Sequence, residues 1–216
     1  MTTRAGVLAL QGSSEPHLER LRELGLAPRE VRQRQDLEGL THLILPGGES
    51  TTIRRLLDLF GLADLLVARH RAGELALFGT CAGAILLAQE DGTPPRRLAL
   101  LDATVARNAY GRQTESFARE AYLALGSCDA NLALDLSAAE PPFHCVFIRA
   151  PRFARVGASV RVVGALDGEP ILVEAPGLLA GTFHPELTAD LRVHRHFLAM
   201  SGIPRPFATS ASGGLA

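Results

Sequence analysis

Leu75-Ala76-Leu77-Phe78-Gly79-Thr80-Cys81-Ala82-Gly83 is the stretch on which the fold turns. Residues 75–78 are a continuous apolar run, as in a strand buried on both faces of a parallel sheet. Gly79 closes the run, and residues 83–89 then follow a helical spacing. Strand, glycine-flanked turn and helix form the Gly-x-nucleophile-x-Gly arrangement, with Cys in place of Ser. Such a turn leaves no room for side chains at its glycines, and it presents the central residue at the C-terminal end of a strand, toward a crevice. Cys81 is therefore a candidate nucleophile; the competing reading is a buried structural cysteine in a small-residue turn.

The same order recurs on either side. Residues 6–10 are an apolar run ending at Gln11-Gly12, and residues 15–24 place Leu18, Leu21 and Leu24 on one helical face before Gly25. Ser14 is the expected cap of that helix, with Pro16 tolerated in the first turn. Residues 41–45 form a second strand-like run closed by Pro46-Gly47-Gly48, and residues 52–60 and 62–72 read as helices. Downstream, 99–106, 144–148, 160–166, 171–174 and 178–183 read as strands, and 187–200 as a closing helix. Residues 127–142 have weak periodicity and are expected to form a surface excursion. Alternating strands and helices predict an α/β fold: a single domain with a mostly parallel central sheet flanked by helices. It is expected to span residues 1–203, with 204–216 as a flexible tail rich in Ser, Gly and Ala.

Two further signals accompany the elbow. His184-Pro185-Glu186 follows the run 178–183, and in an extended segment residues two apart point to the same side. His184 could then carry protons and Glu186 orient it. Ordinary surface polarity at a strand end is the alternative, and six other histidines compete, among them His17, His42, His144, His194 and His196. His194 and His196, two apart on a helix, do not face each other and read as solvated. The second signal is Pro46-Gly47-Gly48-Glu49-Ser50, whose glycines let backbone N–H groups approach a ligand. Beside a nucleophile elbow the natural use is an oxyanion hole, with the Ala82 N–H as second donor. A plain turn capped by Ser50 or Thr51 is the alternative. Arg107 and Arg149 stand at strand ends, where a guanidinium can grip a carboxylate in two places, as a Glu can hold an ammonium; a surface charge is the usual fate of Arg.

Composition narrows the function. With 22 Lys and Arg against 23 Asp and Glu, the net charge of -1 gives no electrostatic case for nucleic acid or an anionic membrane. No Trp and 5% aromatic content argue against a base-stacking surface. Three cysteines, Cys81, Cys128 and Cys145, are spaced neither as a disulfide framework nor as a metal site, so no metal and no cofactor are expected, and a reducing compartment is the simpler reading. The apolar run near the start is too short for a signal peptide and no stretch is long enough to span a bilayer, so the expected location is the cytoplasm.

These residues resemble the class I glutamine amidotransferases, and within them the glutaminase subunits of pyridoxal 5'-phosphate synthases. The elbow, the Pro-Gly-Gly-Glu-Ser loop and His-Pro-Glu carry the broad match. Leu8 to Gly12, Arg107-Asn108-Ala109-Tyr110-Gly111-Arg112-Gln113 with Ser116-Phe117, and Phe147-Ile148-Arg149-Ala150-Pro151 carry the finer one. The resemblance runs in order from about Gly6 to about Leu198. It implies a flavodoxin-like three-layer fold, with Cys81 as nucleophile, His184 as acid and base, and Glu186 as its orienter. It implies L-glutamine held by Gly48, Glu49, Ser50, Arg107, Ile148 and Arg149, and an oxyanion hole at Gly47, Gly48 and Ala82. A partner is implied as well, a (β/α)₈ barrel synthase subunit that takes the ammonia and makes pyridoxal 5'-phosphate from sugar phosphates. Gln11-Gly12 would belong to the loop that switches activity on docking. The chain departs from the family pattern where Pro16 precedes His17 and displaces Glu15 by one, and in the length of residues 127–142.

Overall fold

A computed structural model of the chain describes residues 3–89, 92, 96–107, 116–125 and 141–200. In chain order its elements are β1 (Ala5–Leu8), α1 (Ser14–Glu23), β2 (Arg29–Val31), β3 (His42–Leu45), α2 (Ser50–Leu59), α3 (Ala63–Arg71), β4 (Ala76–Thr80) and α4 (Ala82–Leu87). There follow β5 (Ala103–Ala106), β6 (Ser116–Ala121), β7 (Phe143–Ile148), β8 (Arg152–Val156), β9 (Arg161–Leu166), β10 (Glu169–Ala175), β11 (Leu178–Gly181) and α5 (Arg192–Ala199).

Among the described residues, seven strands make the central sheet in the order β2-β1-β3-β4-β11-β10-β9. From β2 to β11 every pairing is parallel; β10 runs antiparallel to both neighbours. The mostly parallel sheet is thus present. Alternate residues of its strands enter two separate cores, as the two-residue side-chain period requires. Leu43, Leu45, Leu77, Leu178 and Ala180 face one core with Ile53 and Leu57 of α2, Leu66 of α3 and Leu86 of α4. Ile44, Ala76, Phe78 and Leu179 face the other, with Leu18 and Leu21 of α1 and Val193 and Phe197 of α5. Helices on both faces of one sheet give the three-layer arrangement.

Several boundaries differ from the sequence expectation. Helix α1 starts at Ser14 itself, and Ser13 holds the cap position without a side-chain capping bond. Thr80 extends β4 past Gly79 because Gly79 and Thr80 pair with Ala180 and Gly181. The strand expected over 99–106 shortens to β5, since the N–H groups of Leu98, Leu100 and Leu101 bond back to the carbonyls of Leu86 and Leu87 at the end of α4. The helix expected from residue 187 begins at Arg192, after a 3₁₀ turn at Pro185–Leu187. Strands β2, β6 and β8 were not legible; they carry Arg and Glu on exposed positions and exist through pairing rather than burial. Beyond β9 lies a bridge from Leu123 to Gly164 and a bond from Ala124 N–H to the Val163 carbonyl. Residues 108–113, nearly all of the excursion expected over 127–142, and the tail expected over 204–216 lie outside the described residues.

Candidate active site

The ends of β3, β4 and β11 meet at one edge of the sheet, at the C-terminal end of parallel strands where α/β folds place their ligands. The elbow between β4 and α4 holds Cys81 at φ 49° and ψ -103°, a conformation that costs energy for a residue with a side chain. Its N–H donates to the Gly181 carbonyl at 2.9 Å, and its carbonyl accepts from Ile85 N–H at 3.3 Å. Gly83 explains the glycine pattern: a Cβ there would lie 2.0 Å from the Leu45 carbonyl oxygen, a backbone atom that cannot give way. The elbow crosses β3 at backbone contact, which fixes Cys81 relative to the loop that leaves β3.

His184 follows β11 and donates its backbone N–H to the Val146 carbonyl of β7 at 2.8 Å. Pro185 then starts the 3₁₀ turn, and the turn, not an extended segment, brings Glu186 back onto the imidazole. His184 Nδ1 lies 2.7 Å from Glu186 Oε1. A Cβ on Gly47 would lie 2.4 Å from His184 Cε1 and 3.5 Å from Cys81 Cβ, so both side chains rest against the Gly47 backbone. The structure therefore brings Cys81, His184, Glu186 and Gly47 together. Cys81 Sγ is turned toward the Ile148 carbonyl at 3.8 Å, while His184 Nε2 has no hydrogen-bond partner among the described residues.

Burial alone would depress His184, but Cys81 and Glu186 beside it outweigh that and push the imidazole up to about 10. Burial likewise opposes the charge on Glu186, yet His17 and His184 hold its carboxyl below the ordinary carboxylate value. The pair is thus an imidazolium and a carboxylate at neutral pH, and an imidazolium is the counter-ion that a cysteine nucleophile needs. Cys145, by contrast, is buried and its thiol is pushed up to about 12, a structural cysteine.

The loop after β3 has a different character. Glu49 caps α2: its carboxylate accepts from Thr51 N–H at 3.0 Å, Thr52 N–H at 2.7 Å and the Thr52 hydroxyl at 2.7 Å. Those bonds carry its carboxyl down to about 2, with the Thr52 hydroxyl the largest contributor. The cap expected from Ser50 or Thr51 is therefore supplied by Glu49; Ser50 is buried in the first turn. Arg107 reaches within 3.8 Å of Glu49. Arg149, exposed and at φ 43°, follows Ile148. Gly48 is exposed beside Glu49, and Ala82 lies in the first turn of α4, where N–H groups have no intrahelical acceptor. Gln11 Oε1 accepts from the Glu49 N–H at 2.8 Å, and Ser13 N–H donates to the Gly47 carbonyl at 3.1 Å. A Cβ on Gly12 would lie 2.0 Å from that carbonyl oxygen, so the two loops interlock.

Behind the triad stand residues that the sequence reading left aside. His17 and His194 are 0% exposed and lie 3.0 Å apart, which corrects the reading of His194 as solvated. His196, also read as solvated, bonds to Glu174 at 2.6 Å and is largely covered. The signal was present: His17 shares the helical stripe of Leu18 and Leu21, and His194 is three residues before Phe197.

Known proteins resemble this chain in sequence and in fold. The model of the SNO glutamine amidotransferase family matches residues 7–202. A Thermus thermophilus protein named pyridoxal 5'-phosphate synthase subunit PdxT is 50% identical over 201 residues, 92% of this chain and 97% of the relative. A Deinococcus radiodurans protein of the same name is 48% identical over 203 residues, 91% of this chain and 96% of the relative. A crystal structure described as a glutamine amidotransferase superposes with a TM-score of 0.81 at 48% identity, over 92% of this chain and 99% of that one. The Thermotoga maritima PurLQS structure shares the fold at 17% identity, with a TM-score of 0.66 over 92% of this chain and 98% of that one. On the extent of the family match and these identities, the chain belongs to the SNO glutamine amidotransferase family.

Proposed function

We propose that this protein is the glutaminase subunit of a pyridoxal 5'-phosphate synthase. It hydrolyses L-glutamine to L-glutamate and ammonia and passes the ammonia to a barrel-shaped synthase subunit. The observation that carries the chemistry is the convergence of a strained Cys81, a His184 bonded to Glu186 at 2.7 Å, and the glycine loop of Gly47 on one sheet edge. The acceptor is supported by the names of relatives about half identical over nearly their whole length. The amidotransferase domain spans residues 1–203, a reading supported by the family match over 7–202. Among the described residues no helix is long and apolar enough to cross a membrane; a free catalytic thiol suits the cytoplasm.

The reaction is an acyl transfer. Cys81 attacks the side-chain amide carbon of glutamine, and backbone N–H groups of Gly47, Gly48 and Ala82 hold the oxyanion. One such donor is worth on the order of 2.7–4 kcal/mol. His184 gives its proton to the leaving nitrogen, which departs as ammonia and leaves a γ-glutamyl thioester. His184 then takes a proton from water, the hydroxide attacks the thioester, and glutamate leaves as Cys81 is restored. Glu186 keeps the imidazole in register throughout. Arg107 and Arg149 grip the α-carboxylate, Glu49 takes the ammonium, and Gly48, Ser50 and the Ile148 carbonyl line the same pocket. Ammonia released to water becomes ammonium, a poor nucleophile, which is the reason to release it only into a docked partner. Gln11-Gly12 is the switch: Gln11 holds the Glu49 N–H, Gly12 packs on the Gly47 carbonyl that the next residue, Ser13, binds, and displacing this loop would free those groups to reorient.

Glutamate release, measured with and without the barrel subunit on wild type and Cys81→Ala, tests the proposal. Strong stimulation that vanishes in Cys81→Ala, a loss on the order of 10⁶-fold in kcat, is the expected result. Cys81-dependent release that ignores the barrel subunit would sink the acceptor and keep the amidase.

A further inference from the structure

We propose that His17 is a positioning residue for Glu186, presenting its Nε2–H to the outer carboxylate oxygen while His194 fixes the His17 tautomer. The proposal rests on the triad reading above and extends it by two side chains. Glu186 Oε1 is occupied by His184 at 2.7 Å. Its other oxygen, Oε2, is buried, has no hydrogen-bond partner among the described residues, and lies 3.4 Å from His17 Nε2. The same His17 nitrogen is 3.1 Å from the Thr80 hydroxyl, on the residue before Cys81.

Tautomers settle which group donates. Between His17 Nδ1 and His194 Nε2, 3.0 Å apart, one nitrogen carries the proton and the other accepts. With the proton on His17, its Nε2 would turn a lone pair toward the Glu186 carboxylate. The remaining proton of His194 would then sit on Nδ1, a buried atom with no partner among the described residues. With the proton on His194 Nε2, the His17 Nε2–H faces Thr80 and Glu186, and His194 Nδ1 is left as an acceptor, the lesser cost. The second arrangement avoids both penalties.

Burial favours the neutral form of both rings. Burial lowers His17 against the pull of Glu186, with His184 adding to the lowering. His194 is carried down to about 3 by burial, then by His17, with Glu186 opposing and Arg20 of α1 adding to the fall. Phe78 of β4 meets the His17 ring edge-on at 6.3 Å. In a dry pocket, the single N–H that lies between the Thr80 hydroxyl and Oε2 favours one orientation of the carboxylate without neutralising it. Remove that N–H, and a buried carboxylate oxygen faces nothing, so Glu186 turns or takes up a proton.

Nitrogen-15 histidine spectra of the wild-type protein test the tautomer directly. A neutral His17 ring protonated on Nε2 at pH 7 is expected; a proton on Nδ1 or a doubly protonated ring overturns the proposal. Kinetics with the barrel subunit present test the consequence. His17→Phe should lower kcat about 10–100-fold, the size of effect seen for outer-shell partners, at nearly constant KM. It should also move the acid limb of kcat/KM to higher pH, since Glu186 then protonates more readily. His17→Gln, which keeps an N–H near the Nε2 position, should recover most of kcat and the wild-type limb. An unshifted limb in His17→Phe, or activity that falls only with the folded fraction, shows a space-filling residue and overturns it. Should His17→Phe not fold, a shifted limb or a 10-fold or greater loss in folded His17→Gln counts against it as well. Glutamate release that survives Cys81→Ala would instead mean that the triad reading has failed.

Discussion

His184 and Glu186 stand between two unlike regions. Toward the crevice lie Gly47, Gly48 and Glu49, with Arg107 3.8 Å from Glu49: backbone amides and half-exposed or exposed charges. On the far side lie His17, Thr80 and His194, all but inaccessible, linked by bonds of 3.0 and 3.1 Å. Charges on the open side can meet and release a charged ligand because water screens them when it is gone. Groups on the sealed side are held by burial and can only fix where a proton sits. On the proposed roles, recognition and proton control lie on opposite sides of the His184 imidazole, so mutations on the two sides should fail in different ways.

The largest effect is expected at the boundary itself. Glu186→Gln should keep the shape yet cost on the order of 10⁴-fold in kcat, as the loss of a triad's orienting carboxylate does. Steady-state kinetics beside an unchanged circular dichroism spectrum would check it, and a loss under tenfold would dissolve the boundary as drawn.

Gly47→Ala probes the open side from within. Its Cβ would displace the His184 ring from a distance of 2.4 Å, and a shift near 1 Å should lower kcat about 10²-fold. Wild-type activity in that variant would show that the loop moves independently of His184.

Glu49→Ala should raise KM through the lost ammonium contact, and its effect on stability should be the mildest change of the three. Losing the α2 cap should cost about 1 kcal/mol at pH 7. The sign with pH follows from the carboxyl being lowered from 4.5 to about 2 in the folded chain. Its contribution is present above pH 4.5 and is lost as the pH falls through about 2. Urea midpoints of wild type and variant should therefore converge on acidification. Because the side chain is 51% exposed, its ion pair with Arg107 adds little to this.

The two regions also differed in how well the sequence revealed them. Gly47-Gly48, Cys81 and His184-Pro185-Glu186 were legible because each combines a strand end with residues whose backbone or chemistry is unusual there. The sealed side was obscured because helical histidines resemble solvated polarity until their stripe is aligned with Leu18, Leu21 and Phe197. Pairing across 177 residues, as between His17 and His194, leaves no local mark. Glu49 shows a third case: its place in the ligand loop suggested a binding role, while its bonds to Thr51 and Thr52 show that it also starts a helix. Strands such as β2 and β8 stayed hidden because exposed Arg and Glu blur the apolar alternation.

Strand β2 has a consequence for the chain's behaviour at high concentration. A sheet's outermost strand is a template on which another chain can add. Here one border is only three residues long, carries Arg29 and Glu30 outward, and has Arg29 tied down to the carbonyls of Asp36 and Glu38. The opposite border, β9, is covered by Leu123 and Ala124. With neither side offering a long bare ladder, the sheet resists edge-to-edge aggregation, and its open face remains the sheet edge where Cys81 waits.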